Sequence, residues 1–136
     1  MSIFRIREAA DLLGVSDDTV RRWADTGRVE TTTDPSGRLS IEGAVLARFA
    51  IELAAASERL EPRRVVSESA RNRFVGLVTR VVRDTVMAQV EIQAGPHRIV
   101  SLMSREAADE LELEPGVLAI AAVKSTNVVV EVPAHP

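Results

Sequence analysis

The stretch SARNRFVGLVTRVV, residues 69–82, decides the fold of the second half of this chain. Residues 74–82 are rich in valine, which is β-branched and packs well on a sheet, so we predict a strand there. Ahead of it, Ser69, Arg71 and Asn72 offer a hydroxyl, a guanidinium and an amide. A strand needs no such set in order to begin, whereas a small anion rich in oxygen atoms binds to groups of this kind.

More predicted strands follow at short intervals. Residues 86–92 alternate between apolar and polar side chains, which is the period of a strand with one buried face. Residues 98–103, 117–123 and 128–132 are further β-prone runs, and Ser104 is placed to cap a short helix that ends near Leu111. Four or five short strands with one helix predict a small closed or nearly closed barrel of the oligonucleotide/oligosaccharide-binding type.

In the first half of the chain the apolar residues recur at the spacing of α-helices. We predict one helix over residues 6–13 and a second that Ser16 caps and that runs to about Asp25. Two β-prone runs follow around a turn at residues 34–37, and a longer helix is predicted from Ser40 to about Leu60. The fold class is therefore α+β, with a helical domain over residues 1–60, a linker over 61–68 and the barrel over 69–133.

Helix, tight turn, helix and hairpin in this order are typical of a winged helix-turn-helix. The stretch IREAADLLGVSDDTVRRWADTGRV, residues 6–29, resembles the helix-turn-helix of the MerR and excisionase-like families, and the resemblance extends from residue 3 to about residue 50. It implies that the second helix enters the major groove of double-stranded DNA and that the wing contacts the DNA backbone or minor groove. By position, the candidate DNA-binding residues are Ser16, Asp18, Thr19, Arg21, Arg22 and, on the wing, Arg38.

The alternative for Arg21 and Arg22 is that they are ordinary solvated helix residues. Basic and acidic side chains are about equally frequent in residues 1–66, so the domain has no general attraction for phosphates. DNA affinity would then depend on the local placement of arginine and on binding as an oligomer.

The second half resembles the molybdate-binding barrel known as the molbindin, Mop or TOBE domain. Four stretches carry the resemblance, in this order: SARNRFVGLVTRV, VMAQVEI, RIVSLMSREAADELELEPG and AAVKSTNVVV. The oxyanion-binding positions that it implies are Ser69, Arg71, Asn72, Ser101, Ser104, Lys124 and Ser125. Lys124 is the only lysine in the sequence.

The resemblance implies molybdate or tungstate as the ligand, with no catalytic cofactor. Both are tetrahedral dianions, which need hydrogen-bond donors from several directions together with positive charge. In that family the anions lie between barrels, so a chain with one barrel implies a homo-oligomer of at least two chains, with a hexamer as one alternative. Plainer roles remain open for several candidates: Ser104 as a helix cap, Ser101 on a solvated strand face, Asn72 as an organiser of its loop and Lys124 as a surface residue.

Composition excludes several other classes. The chain has 136 residues, 46% of them hydrophobic, with a net charge of −3 and no cysteine. Disulfides and thiolate metal sites are therefore excluded, and two histidines make a zinc site a poor expectation. We expect no membrane partner and a cytoplasmic location, because the sequence shows neither a long apolar run nor a signal peptide.

No nucleophile–base pair, metal-ligand cluster or glycine-rich phosphate loop is recognisable, so we do not expect an enzyme. The leading hypothesis is a transcriptional regulator that responds to molybdate or tungstate. One alternative is a protein that stores or buffers the oxyanion, with the N-terminal domain serving assembly. Another is a DNA-binding protein whose barrel has lost its ligand and only holds the oligomer together.

Overall fold

The computed structural model describes residues 2–57 and 70–134. Contacts within the chain divide it into two compact units, Met1–Arg59 and Leu60–Pro136. The predicted linker, residues 61–68, lies outside the described residues.

The first unit contains the two predicted short helices, α1 (Ile6–Leu13) and α2 (Asp17–Asp25). Ser16 is the N-cap of α2, since its hydroxyl oxygen accepts a hydrogen bond from the backbone N–H of Thr19. This bond satisfies one of the N–H groups that the first turn of a helix leaves without a partner. Both predicted helices are confirmed, and Gly14, with a φ of 71°, ends α1 and begins the turn between them.

A small antiparallel sheet accompanies these helices, with the strand order β1 (Ile3–Arg5), β3 (Leu39–Glu42), β2 (Thr32–Thr33). The predicted hairpin is β2 and β3, whereas β1 was not predicted. The third helix, α3, spans Gly43–Ala56. Its predicted start at Ser40 was wrong, because Ser40 pairs with strands on both sides and belongs to β3.

The core of the first unit lies between the helices and this sheet. Trp23 of α2 meets Phe49 of α3 edge to face, with 5.2 Å between ring centroids. The Arg28 guanidinium lies over the Trp23 ring at 5.3 Å. The buried side chains are Ile6, Ala9, Ala10, Val20, Val29, Ile41, Leu46 and Phe49.

Asp34 organises the turn between β2 and β3. One of its carboxylate oxygens accepts bonds from the Ser36 hydroxyl at 2.6 Å and from the N–H groups of Ser36 and Arg38 at 2.9 Å. These bonds favour the ionised carboxylate, with that of the Ser36 hydroxyl foremost, so the pKa of Asp34 lies below its ordinary value of 3.8.

We therefore expect the Asp34→Asn variant to melt at a lower temperature than the native chain near neutral pH. Because the pKa of Asp34 is lowered by folding, its stabilising effect is present above pH 3.8 and disappears as the pH falls through the lower, folded-state value. Thermal melting from pH 7 to pH 2.5 should show the two curves converging in acid. Asp11→Asn, on the exposed side of α1, is the control. A constant difference across this pH range would contradict the assignment.

The second unit is a curled antiparallel sheet with one short helix. Its strands are β4 (Asn72–Arg83), β5 (Met87–Ala94), β6 (His97–Ser104) and β7 (Leu118–Val123), and its helix is α4 (Arg105–Glu110). The strand order is β6-β5-β4-β7. β4 is long enough to pair with β7 through its first half and with β5 through its second half.

The inner face of this sheet buries Val78, Val90 and Ile92 against Leu113, which follows α4. Gly76 lies on β4 where the backbone of β5 is close. A Cβ atom placed at Gly76 would lie 2.5 Å from the backbone oxygen of Gln93. The glycine therefore allows the strong curl of β4, as glycine does where two backbones come close.

The predicted last strand, residues 128–132, was wrong for the described chain. After β7 the backbone makes a short 3-10 turn, Ser125–Asn127, and the residues beyond it belong to no strand. Val129 and Val130 are more than four-fifths exposed. High β-propensity alone does not make a strand, and residues 128–132 pair with neither edge of the described sheet. The described sheet is accordingly not closed, since β6 and β7 are both edge strands.

Candidate functional site

The start of β4 and the end of β7 bring together four of the predicted oxyanion-binding residues. Asn72 lies opposite Val123, and its side-chain amide donates a hydrogen bond to the Val123 carbonyl at 3.2 Å. Arg71 directly precedes Asn72 and Lys124 directly follows Val123, so the two residues flank the last pair of this antiparallel register. Ser125 comes directly after Lys124 and begins the 3-10 turn.

Arg71 and Lys124 are both exposed at this sheet end. Within residues 2–57 and 70–134, neither side chain forms an ion pair. Two like charges that flank the same strand pair repel each other. A dianion that binds between them would remove this repulsion, so the pair has the electrostatics of an anion site.

Asn72 is half-buried and uses its amide within the fold. Its bond to Val123 ties the two strand ends together. Asn72 therefore has a contact within the fold, and both of its predicted roles, as a ligand and as an organiser of its loop, stay predictions. Ser69 lies outside the described residues, and its assignment stays a prediction.

Ser101 and Ser104 lie on β6. Ser101 is opposite Val90, which is fully buried, so Ser101 points to the inner face of the sheet rather than to its solvated face. Ser104 ends β6 and caps α4, because its hydroxyl oxygen accepts a bond from the Ala107 N–H at 3.1 Å. The hydroxyl hydrogen of Ser104 is not used in that cap and can be donated to a ligand.

The two groups of candidates do not share one location along the sheet. Ser101 pairs through Val90 with Val81 of β4, whereas Arg71 and Lys124 flank Asn72 at the beginning of that strand. Asn72 and Val81 are nine residues apart along β4. The candidates therefore form two clusters. Arg71 and Lys124 are the cationic group at the start of β4, and Ser101 and Ser104 are the hydroxyl group near its other end.

Two residues that the sequence analysis did not single out hold the hydroxyl group in place. Arg83 ends β4 and donates hydrogen bonds to the Asp109 carboxylate at 3.0 Å and to the Leu113 carbonyl at 2.8 Å, which anchors α4. Asp84 accepts bonds from the N–H groups of Val86 and Met87 at 2.8 and 2.7 Å. The only signal in the sequence is an Arg-Asp pair at the end of a valine-rich run.

Met87 is the β5 residue opposite Ser104, so the turn at Asp84 lies next to the strand pair that contains Ser104. The bond from the Met87 N–H, followed by that from Val86, holds the pKa of Asp84 below its ordinary value. The carboxylate therefore stays ionised and keeps this turn closed at any pH near neutrality.

The predicted DNA-binding residues all lie in the first unit. Arg21 and Arg22 are exposed on α2, and Arg38 is exposed just beyond the Asp34 turn. Asp18 is exposed in the first turn of α2. The hydroxyls of Ser16 and Thr19 bond to each other at 2.9 Å, so both already have a partner within the helix cap.

Among the described residues, no group of three or more His, Cys, Asp or Glu side chains is arranged to hold a metal ion. No helix in the described part of the chain is long and apolar enough to cross a membrane.

The C-terminal unit identifies the class of protein. The sequence model of the TOBE domain family matches residues 68–130. "Molybdenum-pterin-binding protein 2" of Clostridium pasteurianum is 36% identical over 66 residues, which are 48% of this chain and 97% of that protein. The chain therefore belongs to the TOBE domain family through its second half.

Two solved structures of molybdate-binding proteins are also similar to part of this chain. A molybdate-binding protein from Sporomusa ovata has 29% sequence identity and a TM-score of 0.47, covering 48% of this chain and 98% of its own. The cytoplasmic molybdate-binding protein ModG, with molybdate bound, has 34% identity and a TM-score of 0.46, covering 58% of this chain and 51% of its own.

Proposed function

We propose that this protein is a DNA-binding transcriptional regulator that responds to molybdate or tungstate. The observation that carries the proposal is the union of two units in one chain. The second unit belongs to the TOBE family and has Arg71 and Lys124 on either side of the Asn72–Val123 strand pair. The first has two short helices, a tight turn and a hairpin, with exposed arginines on the second helix.

The oxyanion part of the proposal follows from the donors at the sheet ends. Molybdate carries two negative charges and four acceptor oxygens, and it has no proton to donate near neutral pH. Arg71 and Lys124 would supply the positive charge and several N–H donors, and Ser101, Ser104 and Ser125 would add hydroxyl donors. The curated relative of this half of the chain is named as a molybdenum-pterin-binding protein, which supports an oxyanion of molybdenum.

One chain cannot bring both donor groups to a single anion if they remain at different ends of β4. A second chain solves this, since the cationic group of one copy would meet the hydroxyl group of another. The valine-rich residues 128–132 support such an assembly. Their valine side chains are exposed, and β6 and β7 each have an edge without a partner strand in the described sheet. We therefore propose a homo-oligomer whose oxyanion sites lie between TOBE units.

The DNA-binding part rests on the first unit. We propose that α2 enters the major groove as the recognition helix of a winged helix-turn-helix, with Arg21 and Arg22 facing the DNA and Arg38 on the wing. Two such units in an oligomer would contact two half-sites about 34 Å apart, one helical turn of DNA.

Regulation would then follow from linkage. An oxyanion that binds between TOBE units favours the assembly in which those units are paired, and this assembly sets the spacing of the recognition helices. The ligand changes DNA affinity only by its differential affinity for the two assemblies, typically about 1–3 kcal/mol.

We expect Arg22→Ala to weaken DNA binding about 10-fold while molybdate binding stays unchanged, because a charge-assisted contact is lost in the first unit only. The measurement is fluorescence anisotropy on a DNA fragment selected with the native protein from a random library. Arg80→Ala, an exposed arginine of β4, is the matched control and should bind DNA normally. Equal DNA affinity of Arg22→Ala and the native chain would place the recognition face elsewhere.

A further inference from the structure

The outward side of α3 is unusually apolar for a surface helix. Arg48 and Glu52 are its only charged residues among 14. Ile51 is 70% exposed, and Ala44, Ala47 and Ala55 are exposed on the same side of the helix. Surface helices normally carry polar residues on the side that faces away from the core, so this side of α3 has the composition of a contact surface.

We propose that this side of α3 packs against the same side of α3 in a second copy of the chain, in antiparallel orientation. The inference rests on the homo-oligomer of the proposed function and adds a second contact between copies, located in the DNA-binding unit. The pairing would hold two recognition helices at a fixed separation.

The charges on α3 favour this occupant. Arg48 and Glu52 lie four residues apart on one flank of the apolar side, and neither forms an ion pair within the described residues. A two-fold axis that lies between the two helices, perpendicular to both and level with residue 50, places Arg48 of each copy beside the partner's Glu52. The pattern is therefore complementary to itself only when the two helices run in opposite directions.

The same axis also matches the sizes of the apolar side chains. Ile51 meets its own counterpart at the centre, and Ala47 and Ala44 face the alanines near the other helix end, at positions 54 to 56. Small residues on both sides allow the helix axes to approach to about 8 Å. Only one large side chain per copy then has to be accommodated.

This contact is too small to hold two free chains together. A helix of 14 residues is about 21 Å long, and one helix pair buries much less than the 1,200–2,000 Å² or so of a stable interface. It would form between chains that the TOBE units already hold in one assembly, where the effective concentration of the second helix is high. The contact is thus suited to respond to how the TOBE units are arranged.

The absence of cysteine from the sequence allows a direct test on the full-length chain. In the variant Ile51→Cys the single thiol of each copy would lie close to that of the second copy, within reach of a disulfide. Leu12→Cys is the matched control, since Leu12 is 65% exposed on α1 of the same unit. Under mild oxidation we expect Ile51→Cys to form its disulfide-linked dimer about tenfold faster than Leu12→Cys does.

A charge exchange tests the orientation. Added to Ile51→Cys, Arg48→Glu should slow disulfide formation about threefold or more. The glutamate introduced at position 48 of each copy would then lie beside the partner's Glu52, and the two acids repel each other. The double exchange Arg48→Glu with Glu52→Arg restores both pairs in an antiparallel dimer and should restore the rate. A rate that stays low in the double exchange would overturn the antiparallel arrangement.

The oligomeric state of each variant, measured by native mass spectrometry, separates the two proposals. If the oligomer binds molybdate but Ile51→Cys cross-links no faster than Leu12→Cys, the α3 contact is overturned and the proposed function stands. A chain that is monomeric with and without molybdate overturns the proposed oligomer, and the α3 contact with it.

Discussion

Gly76→Ala is expected to lower the free energy of unfolding of the second unit by about 3 kcal/mol, the upper end of the usual cost of overpacking. The added methyl group would lie 2.5 Å from the Gln93 carbonyl oxygen and 2.9 Å from its carbonyl carbon. Both are backbone atoms of the neighbouring strand, so no side chain can move aside, and β4 and β5 must separate. Thermal denaturation should show a melting temperature lower by about 15 °C.

Gly116→Ala separates this clash from the general effect of replacing a glycine. Gly116 has a φ of 95°, and a Cβ atom there would meet nothing within 4 Å. The variant therefore has only the cost of the left-handed backbone, about 1 kcal/mol. If Gly76→Ala were no less stable than Gly116→Ala, the close approach of β4 and β5 at Gly76 would not exist in solution.

Arg71→Ala and Lys124→Ala are each expected to weaken molybdate binding about 10- to 100-fold. Each removes a positively charged donor, and a hydrogen bond to a charged group contributes about 1.5–3 kcal/mol. Isothermal titration calorimetry with molybdate measures the change directly. The fold should be intact in both variants, because both side chains are exposed and neither takes part in the core.

Arg7→Ala is the control for loss of a positive charge from the chain. Arg7 is exposed on α1 of the first unit, which carries none of the proposed oxyanion donors. Its loss should leave molybdate affinity within about twofold of the native value, because it removes a charge but no proposed donor. Normal binding by both Arg71→Ala and Lys124→Ala would show that the cationic group is not the site.

The regular spacing of apolar residues made much of this fold predictable from the sequence. The alternation in residues 86–92 identified the buried face of β5, and Ala88, Val90 and Ile92 are indeed buried. The caps at Ser16 and Ser104 were equally readable, because a short hydroxyl side chain ahead of a helical run has one strong local role.

The errors arose where distant partners decide the structure. Ser40 has the chemistry of a helix cap, yet its pairing with β1 and β2 keeps it in a strand. β1 itself is only three residues long and becomes recognisable only through β3. Residues 128–132 have the composition of a strand, but no local pattern predicts whether they pair with an edge of the sheet.

The candidate site was predictable in residue type but not in arrangement. The polar residues ahead of β4 and the single lysine could be selected from the sequence. That Arg71 and Lys124 flank one strand pair depends on the register of β4 with β7, which joins residues about 50 positions apart. The location of Ser101 on the inner face likewise depends on Val90 of the adjacent strand.

The central claim is that oxyanion binding and DNA binding are coupled in one assembly. The most direct measurement is the affinity of the full-length chain for its selected DNA fragment, by fluorescence anisotropy, with and without saturating molybdate and with sulfate as the control anion. We predict a change of about 5- to 150-fold with molybdate, no change with sulfate, and loss of the molybdate effect in Lys124→Ala. Tight molybdate binding with DNA affinity unchanged, or with no DNA bound at all, would contradict the regulator and indicate a protein that stores the oxyanion.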